Sequence, residues 1–137
     1  MIKPIIHDDF FLARKSEPAT PADIGVLNDL TETLIANRER CVGMAANMIG
    51  VSKRIISVLA GPIPLEMINP VIVARIGAPY EAEEGCLCRA AVKKAQRYET
   101  IEVEFLDRRF QKQRCRYSGW IAQIIQHEID HCDGILI

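Results

Sequence analysis

No stretch of this 137-residue chain approaches the roughly 20 apolar residues that a membrane-crossing helix needs. No helical membrane span is therefore expected. The opening Met1-Ile2-Lys3-Pro4 lacks the apolar core of a secretory signal, and the five cysteines, Cys41, Cys86, Cys88, Cys115 and Cys132, are odd in number and follow no disulfide-framework spacing. Both absences point to a reducing cytoplasm. A net charge of −1 supplies no cationic excess for nucleic acid, and neither internal repeats nor low-complexity tracts occur. What remains, 49% hydrophobic and 26% charged residues, suits one ordinary globular domain over residues 1–137 with a single core.

Histidine is also scarce, at three residues, yet two of them stand four apart in Gln126-His127-Glu128-Ile129-Asp130-His131. Helical periodicity over 120–132 puts both imidazoles on one side of the helix, one above the other. That is H-E-x-x-H, the spacing for two nitrogen ligands on one metal. Glu128, turned about 100° from His127, falls beside such a metal and is the natural general acid/base. The rival reading makes both histidines core-facing polar residues, because Ile121, Ile124, Ile125, Ile129 and Cys132 form a broad apolar arc. Two buried histidines without a ligand are costly to satisfy.

A third ligand must come from upstream. The only other histidine, His7, sits in a polar N-terminal segment, whereas Glu83-Glu84-Gly85-Cys86-Leu87-Cys88 offers a thiolate beside a glycine that lets the backbone come close. One Cys and two His would leave the fourth position of a tetrahedral site open, the catalytic rather than the structural arrangement.

The remaining segments read as follows. Residues 1–19 form a polar arm; Thr20-Pro21-Ala22-Asp23 starts a packing helix that runs to about Arg38. The β-branched run 54–60 is a strand, broken by Gly61-Pro62, and 71–76 is another, after which Gly77-Ala78-Pro79 turns the chain. Residues 98–105 alternate, with Ile101, Val103 and Phe105 against Glu102 and Glu104, which marks an antiparallel strand with one wet face. Residues 110–117 return as its hairpin partner, Ser118 caps the last helix and Gly134 ends it. The expected fold class is α+β, mainly antiparallel sheets packed around a central metal-binding helix. Arg89, Lys93, Lys94 and Arg97 read as a solvated basic face, and Cys41, Cys115 and Cys132 as small core residues.

Three motifs in order, Gly43-Met44-Ala45-Ala46 with Ile49-Gly50, then Glu84-Gly85-Cys86-Leu87, then Gln126-His127-Glu128-Ile129-Asp130-His131, resemble peptide deformylases. The resemblance covers residues 24–137. It implies Cys86, His127 and His131 as ligands of one divalent metal, iron(II) in the cell, with zinc, nickel or cobalt as alternatives that such a donor set also accepts. Glu128 would pass protons, and the backbone N–H of Leu87 would steady the oxyanion during hydrolysis of the formyl group from formyl-methionine of nascent peptides, with release of formate. Action close to the ribosome is implied too. Gly43 would border the substrate cleft, where a tight backbone can pair with an extended peptide. Val42, Leu87, Ile124 and Trp120 form an apolar methionine pocket or simply core, with Gln123 at its rim, and Glu84 either orients a ligand, bonds substrate, or is a surface acid.

Two positions depart from the family pattern. Met48 stands where the family has a glutamine that supplies an oxyanion donor, with Asn47 beside it as a substitute amide. Cys88 stands where the family has serine. On an extended segment it points the same way as Cys86, and a closed Cys2His2 site would leave Glu128 without a task.

Overall fold

The computed structural model describes residues 1–137, Ala90 excepted. Among the described residues, three α-helices, α1 (Asp9–Leu12), α2 (Ile24–Ala36) and α3 (Gly119–Cys132), and two short 3-10 helices, Pro21–Asp23 and Ala46–Ile49, accompany five strands: β1 (Gly43–Ala45), β2 (Ile55–Ala60), β3 (Ile63–Cys86), β4 (Arg89–Leu106) and β5 (Lys112–Ser118). The strands form one antiparallel sheet in chain order. The α+β expectation, with antiparallel strands packed on the H-E-x-x-H helix, is met.

Strand β2 explains why the sheet has helices on both sides. Its Ile55 and Leu59 pack with α2 residues Leu27, Leu30 and Leu34, while Ile56 and Val58 pack with Ile124, Ile125 and Ile129 of α3. A strand covered on both faces reads as a continuous apolar run rather than an alternating one. Helix α3 contains four isoleucines, Ile121, Ile124, Ile125 and Ile129, whose β-branching lowers helix propensity. Tertiary burial therefore holds it: Ile125 is fully buried, and truncation there to alanine should cost about 2–5 kcal/mol.

Several expectations need correction. The chain does not turn at Gly77-Ala78-Pro79. Strand β3 runs straight through, because register shifts against β4 between Ile76 and Pro79 absorb the residue that cannot donate to the ladder. The real reversal is the two-residue turn at Leu87-Cys88, between the paired Cys86 and Arg89. Ser118 offers no side-chain cap to α3; as the last residue of β5 its hydroxyl pairs with that of Thr100 at 2.9 Å. The helix start instead uses Gly119, whose φ of 66° lets the chain swing out of the strand.

The N-terminal arm is fastened to the body of the fold. It contains α1, with Leu12 fully buried, and backbone N–H groups of Ile6 and Ser16 donate to the carbonyls of Met48 and Cys132 at 2.8 Å each. Gly134 closes the contact from the other side, since a Cβ there would lie 2.5 Å from the Ala13 carbonyl oxygen. Of the cysteines expected in the core, Cys132 is buried and Cys41 and Cys115 are only partly so. No helix is long and apolar enough to cross a membrane.

Candidate active site

Helix α3 is locked in rotation by Gln126. Its amide oxygen accepts from the Tyr98 N–H and its nitrogen donates to the Tyr98 carbonyl, both at 2.9 Å, so the side chain continues the edge of β4 as a strand would. The next residues are thereby aimed inward. His127, Glu128 and His131 are all buried.

His127 and His131 present their Nε2 atoms to one another at 3.1 Å. From the β3–β4 turn, Cys86 Sγ approaches His131 Nε2 at 3.3 Å. Cys88, 1% exposed, brings its Sγ to 3.2 Å from that of Cys86. Ligand-type atoms gather in two overlapping groups, Cys86, Cys88 and His131, and His127, Glu128 and His131, each within 4.8 Å. His131 belongs to both.

Glu84 is not a surface acid. It is buried, and its Oε1 lies 2.8 Å from His127 Nδ1, which keeps a proton on Nδ1 and turns Nε2 toward the cluster. Arg97 supports it with bonds of 2.7–3.2 Å, then reaches Asp130 at 2.7 Å. Burial alone would raise the Glu84 carboxyl, but the bonds from His127 and Arg97 outweigh it and hold the group at about 2. Burial would likewise lower His127, yet the bonds to Cys86 and Glu84 carry it up to about 10. Glu128 goes the other way: burial is its main influence, only partly offset by His127, and pushes it to about 7.

Arg97 was placed on a solvated face, and that is wrong. It is 4% exposed. It shares the parity of Ile101 and Val103 on β4, the buried face, and extending that alternation upstream was the signal that could have found it; the exposed Glu99 interrupts the run. Arg89 too is engaged, in a 2.8 Å pair with Asp9, while Lys93 and Lys94 are exposed.

The ligand cluster opens on a cavity of about 130 Å³ lined by Cys41, Val42, Gly43, Leu87, Trp120, Gln123, Ile124 and Glu128, among others. Gly43 is required: a Cβ on it would lie 2.7 Å from Ile124 Cγ2 and 2.9 Å from Glu128 Oε2. It belongs to edge strand β1, paired to β2 on one side only. Ile124 is buried in the wall, whereas Trp120, at 61% exposure, and Val42 sit at the mouth. Gln123 accepts from the Tyr80 hydroxyl at 3.1 Å. Cys41 lines the same cavity and bonds the Gly43 carbonyl at 2.9 Å.

Asn47 is not a spare oxyanion donor. Its Nδ2 donates to the His131 carbonyl at 2.9 Å, tying the short turn Ala46–Ile49 to α3. Met48 is fully buried, its Sδ 3.5 Å from the Ala45 N–H and 3.9 Å from Cys86 Sγ.

A divalent metal fits these residues. Buried Glu128 Oε1 has no hydrogen-bond partner, and two imidazole nitrogens face each other and a thiol at distances that only shared protons or a cation can reconcile. A polypeptide deformylase family model matches residues 2–137. A peptide deformylase of Clostridium beijerinckii is 55% identical over 137 residues, 100% of both chains. Crystal structures of a peptide deformylase from Legionella pneumophila and of a class I type b enzyme from Acinetobacter baumannii with Met-Ala-Ser bound both superpose with a TM-score of 0.88. They are 33% and 25% identical, and the match covers 99% of this chain and 83% and 97% of theirs. On sequence along the whole chain and on fold alike, this protein belongs to the peptide deformylase family.

Proposed function

We propose that Cys86, His127 and His131 hold one divalent metal, and that Glu128 moves the protons in hydrolysis of the formyl group from formyl-methionyl peptides. The amide C–N bond breaks, water supplies oxygen and hydrogen, and formate and a free N-terminal amine result. The observation that carries this reading is the buried Glu128, with one unpartnered oxygen, beside two imidazoles and a thiol that converge at 3.1–3.3 Å.

When bound, the metal supplies Lewis acidity and makes water nucleophilic at neutral pH. The donor set is borderline to soft and suits iron(II), zinc, nickel or cobalt; iron(II) is the proposed cellular ion. Glu84 holds His127 in the ligating tautomer, and Arg97 holds Glu84. Glu128, its pKa raised to about 7 by burial, sits near the working pH, where a group both takes and returns a proton efficiently. Edge strand β1 at Gly43 offers backbone groups to an extended peptide, the Leu87 turn supplies the oxyanion N–H, and the cavity between Val42, Ile124 and Trp120 takes the methionine side chain. A tripeptide Met-Ala-Ser occupies the Acinetobacter baumannii enzyme, and the same class of ligand is proposed here. Substrates emerging at the ribosome, in the cytoplasm, follow from that chemistry.

A second reading, a slow or altered deacylase, has one observation in its favour: Met48 presents a thioether, not an amide, and Asn47 is committed to α3. Loss of one oxyanion donor typically costs ~10²–10³ in rate.

The test is formate release from a formyl-methionyl tripeptide by anaerobic, iron(II)-loaded protein. Glu128→Ala should lose ~10²–10⁴ of the rate; turnover that survives the change would remove Glu128 from the mechanism. Met48→Gln should raise the rate if the missing donor limits it, and an unchanged rate would retire the second reading.

A further inference from the structure

Cys88 is the residue that this site does not use. It belongs to the buried apolar cluster with Leu12, Leu27 and Met48, and in addition its sulfur lies 3.2 Å from the Cys86 sulfur and within 4.8 Å of the ligating atom of His131. Two thiols and an imidazole converge there, the imidazole being the second histidine of the H-E-x-x-H pair.

The spacings can be compared with those of a metal site. Metal–sulfur bonds of about 2.3 Å and metal–nitrogen bonds of about 2.0–2.1 Å in a tetrahedron give donor–donor edges of roughly 3.3 Å for N···N, 3.6 Å for S···N and 3.8 Å for S···S. The observed edges are 3.1 Å between His127 and His131, 3.3 Å between Cys86 and His131, and 3.2 Å between Cys86 and Cys88. Each is short by a few tenths of an ångström, and in the same sense. These three edges run in a chain, Cys88 to Cys86 to His131 to His127, so Cys88 shares a group with Cys86 and His131 and meets His127 only through His131; an ion held by all four draws Cys88 and His127 together around it.

The Cys88 backbone is also fixed from outside. His7 Nδ1 lies 3.0 Å from the Cys88 carbonyl, and Asp9 pairs with Arg89, the next residue, at 2.8 Å. The N-terminal arm therefore holds the Leu87-Cys88 turn with its second sulfur toward the cluster, as a built position rather than a free loop tip.

We propose that Cys88 is the fourth ligand of the resting metal site, closing as Cys2His2 the coordination that catalysis needs open. This rests on the ligand set proposed above and adds a regulation of it. The second thiol gives up its proton to solvent as it binds, tightens the hold on soft or borderline ions, and must be displaced before substrate is processed. The chain thus trades turnover for metal retention.

Cobalt(II) loaded into the reduced protein reads this directly, because thiolate-to-cobalt charge-transfer absorption grows with the number of thiolates bound. Cys88→Ser is compatible with the fold, serine being the residue that the family resemblance puts there. It should drop the band from two thiolates to one and weaken cobalt retention against a chelator about 10-fold or more. Formate release per bound metal should rise. Cys88→Ala should give the same single-thiolate band, which separates a lost ligand from a misplaced hydroxyl. An undiminished band in both variants would overturn the proposal. Cys86→Ser tests the underlying ligand set separately: an undiminished band there would remove Cys86 from the site whatever the Cys88 variants show.

Discussion

The second half of strand β4, from Arg97 to Leu106, carries arginine–carboxylate pairing at both of its ends, and the two ends differ in everything but chemistry. At the middle of the strand, Arg97 is sunk between Glu84 and Asp130. Near its finish, Glu102 and Glu104 stand on the wet face and receive Arg114 and Arg116 from β5 at 2.8–3.1 Å. Distances are alike, so geometry does not set their worth. Burial does: charges held in a low-dielectric interior are costly to strip of partners, while exposed pairs exchange one for another with water and salt. The buried end also passes its order onward, through Glu84 to His127, whereas the exposed end decorates a hairpin.

The largest break in this comparison is Arg97→Met. It leaves Glu84 with the His127 imidazole as its one remaining charged partner and Asp130 without its arginine, and should cost about 3–5 kcal/mol in denaturant unfolding of the metal-free protein. Removing the charge opposite at the same time, in Arg97→Met with Glu84→Gln, should recover part of that loss. A double variant no better than the single one would mean that packing of the guanidinium, not uncompensated charge, carries the effect.

Glu84→Gln alone sharpens the link to the metal. Carboxylates that hold a ligating histidine typically set 10–100-fold in metal affinity, and a loss of that size should appear in chelator competition. The same variant has a pH signature in the metal-free protein. Because the folded Glu84 carboxyl is held at about 2, below its ordinary 4.5, its contribution to stability is fully present above about 4.5 and disappears as pH falls toward about 2. The stability difference between wild type and Glu84→Gln should therefore shrink across that window. A difference that stays constant would show that the carboxylate is not selectively stabilised in the fold.

These contrasts also mark where the sequence was readable. The H-E-x-x-H spacing, the Cys86 motif and the glycine at 43 all act through local geometry, and local geometry repeats: a four-residue interval on a helix has one outcome. The alternation of Ile101 and Val103 against Glu102 and Glu104 was equally legible and correctly oriented the wet end of β4. Arg97 was missed because the exposed Glu99 breaks the alternation that would have carried the buried face of β4 upstream to it. Its partners Glu84 and Asp130 lie 13 and 33 residues away, and only tertiary pairing makes burial tolerable. Asn47 failed because its amide is taken by a carbonyl 84 residues distant. Gly77-Ala78-Pro79 misled in another way. Turn-forming residues also mark bulges in a long strand, and composition does not separate the two. Cys88 was recognised as pointing with Cys86, but the gathering of sulfur and imidazole around it needed the helix and the hairpin placed together.

The smallest effect is expected at the exposed end. Hydrogen bonds from Arg116, then Arg114, draw the Glu102 carboxyl below its usual range, a pull that by itself would suggest a strong interaction. Both arginines and Glu104 stand largely in water, where screening and the entropy of holding long side chains offset the attraction. Glu102 also has two arginines in reach, so loss of either leaves it paired. Arg114→Ala and Arg116→Ala should each leave the urea midpoint within experimental error of wild type, at low salt and at 1 M salt, with metal affinity and formate release unchanged. If either variant shifted the midpoint as far as Arg97→Met does, exposure would not be what separates the middle of β4 from its finish, and the hairpin would have to be counted as part of the frame that holds α3.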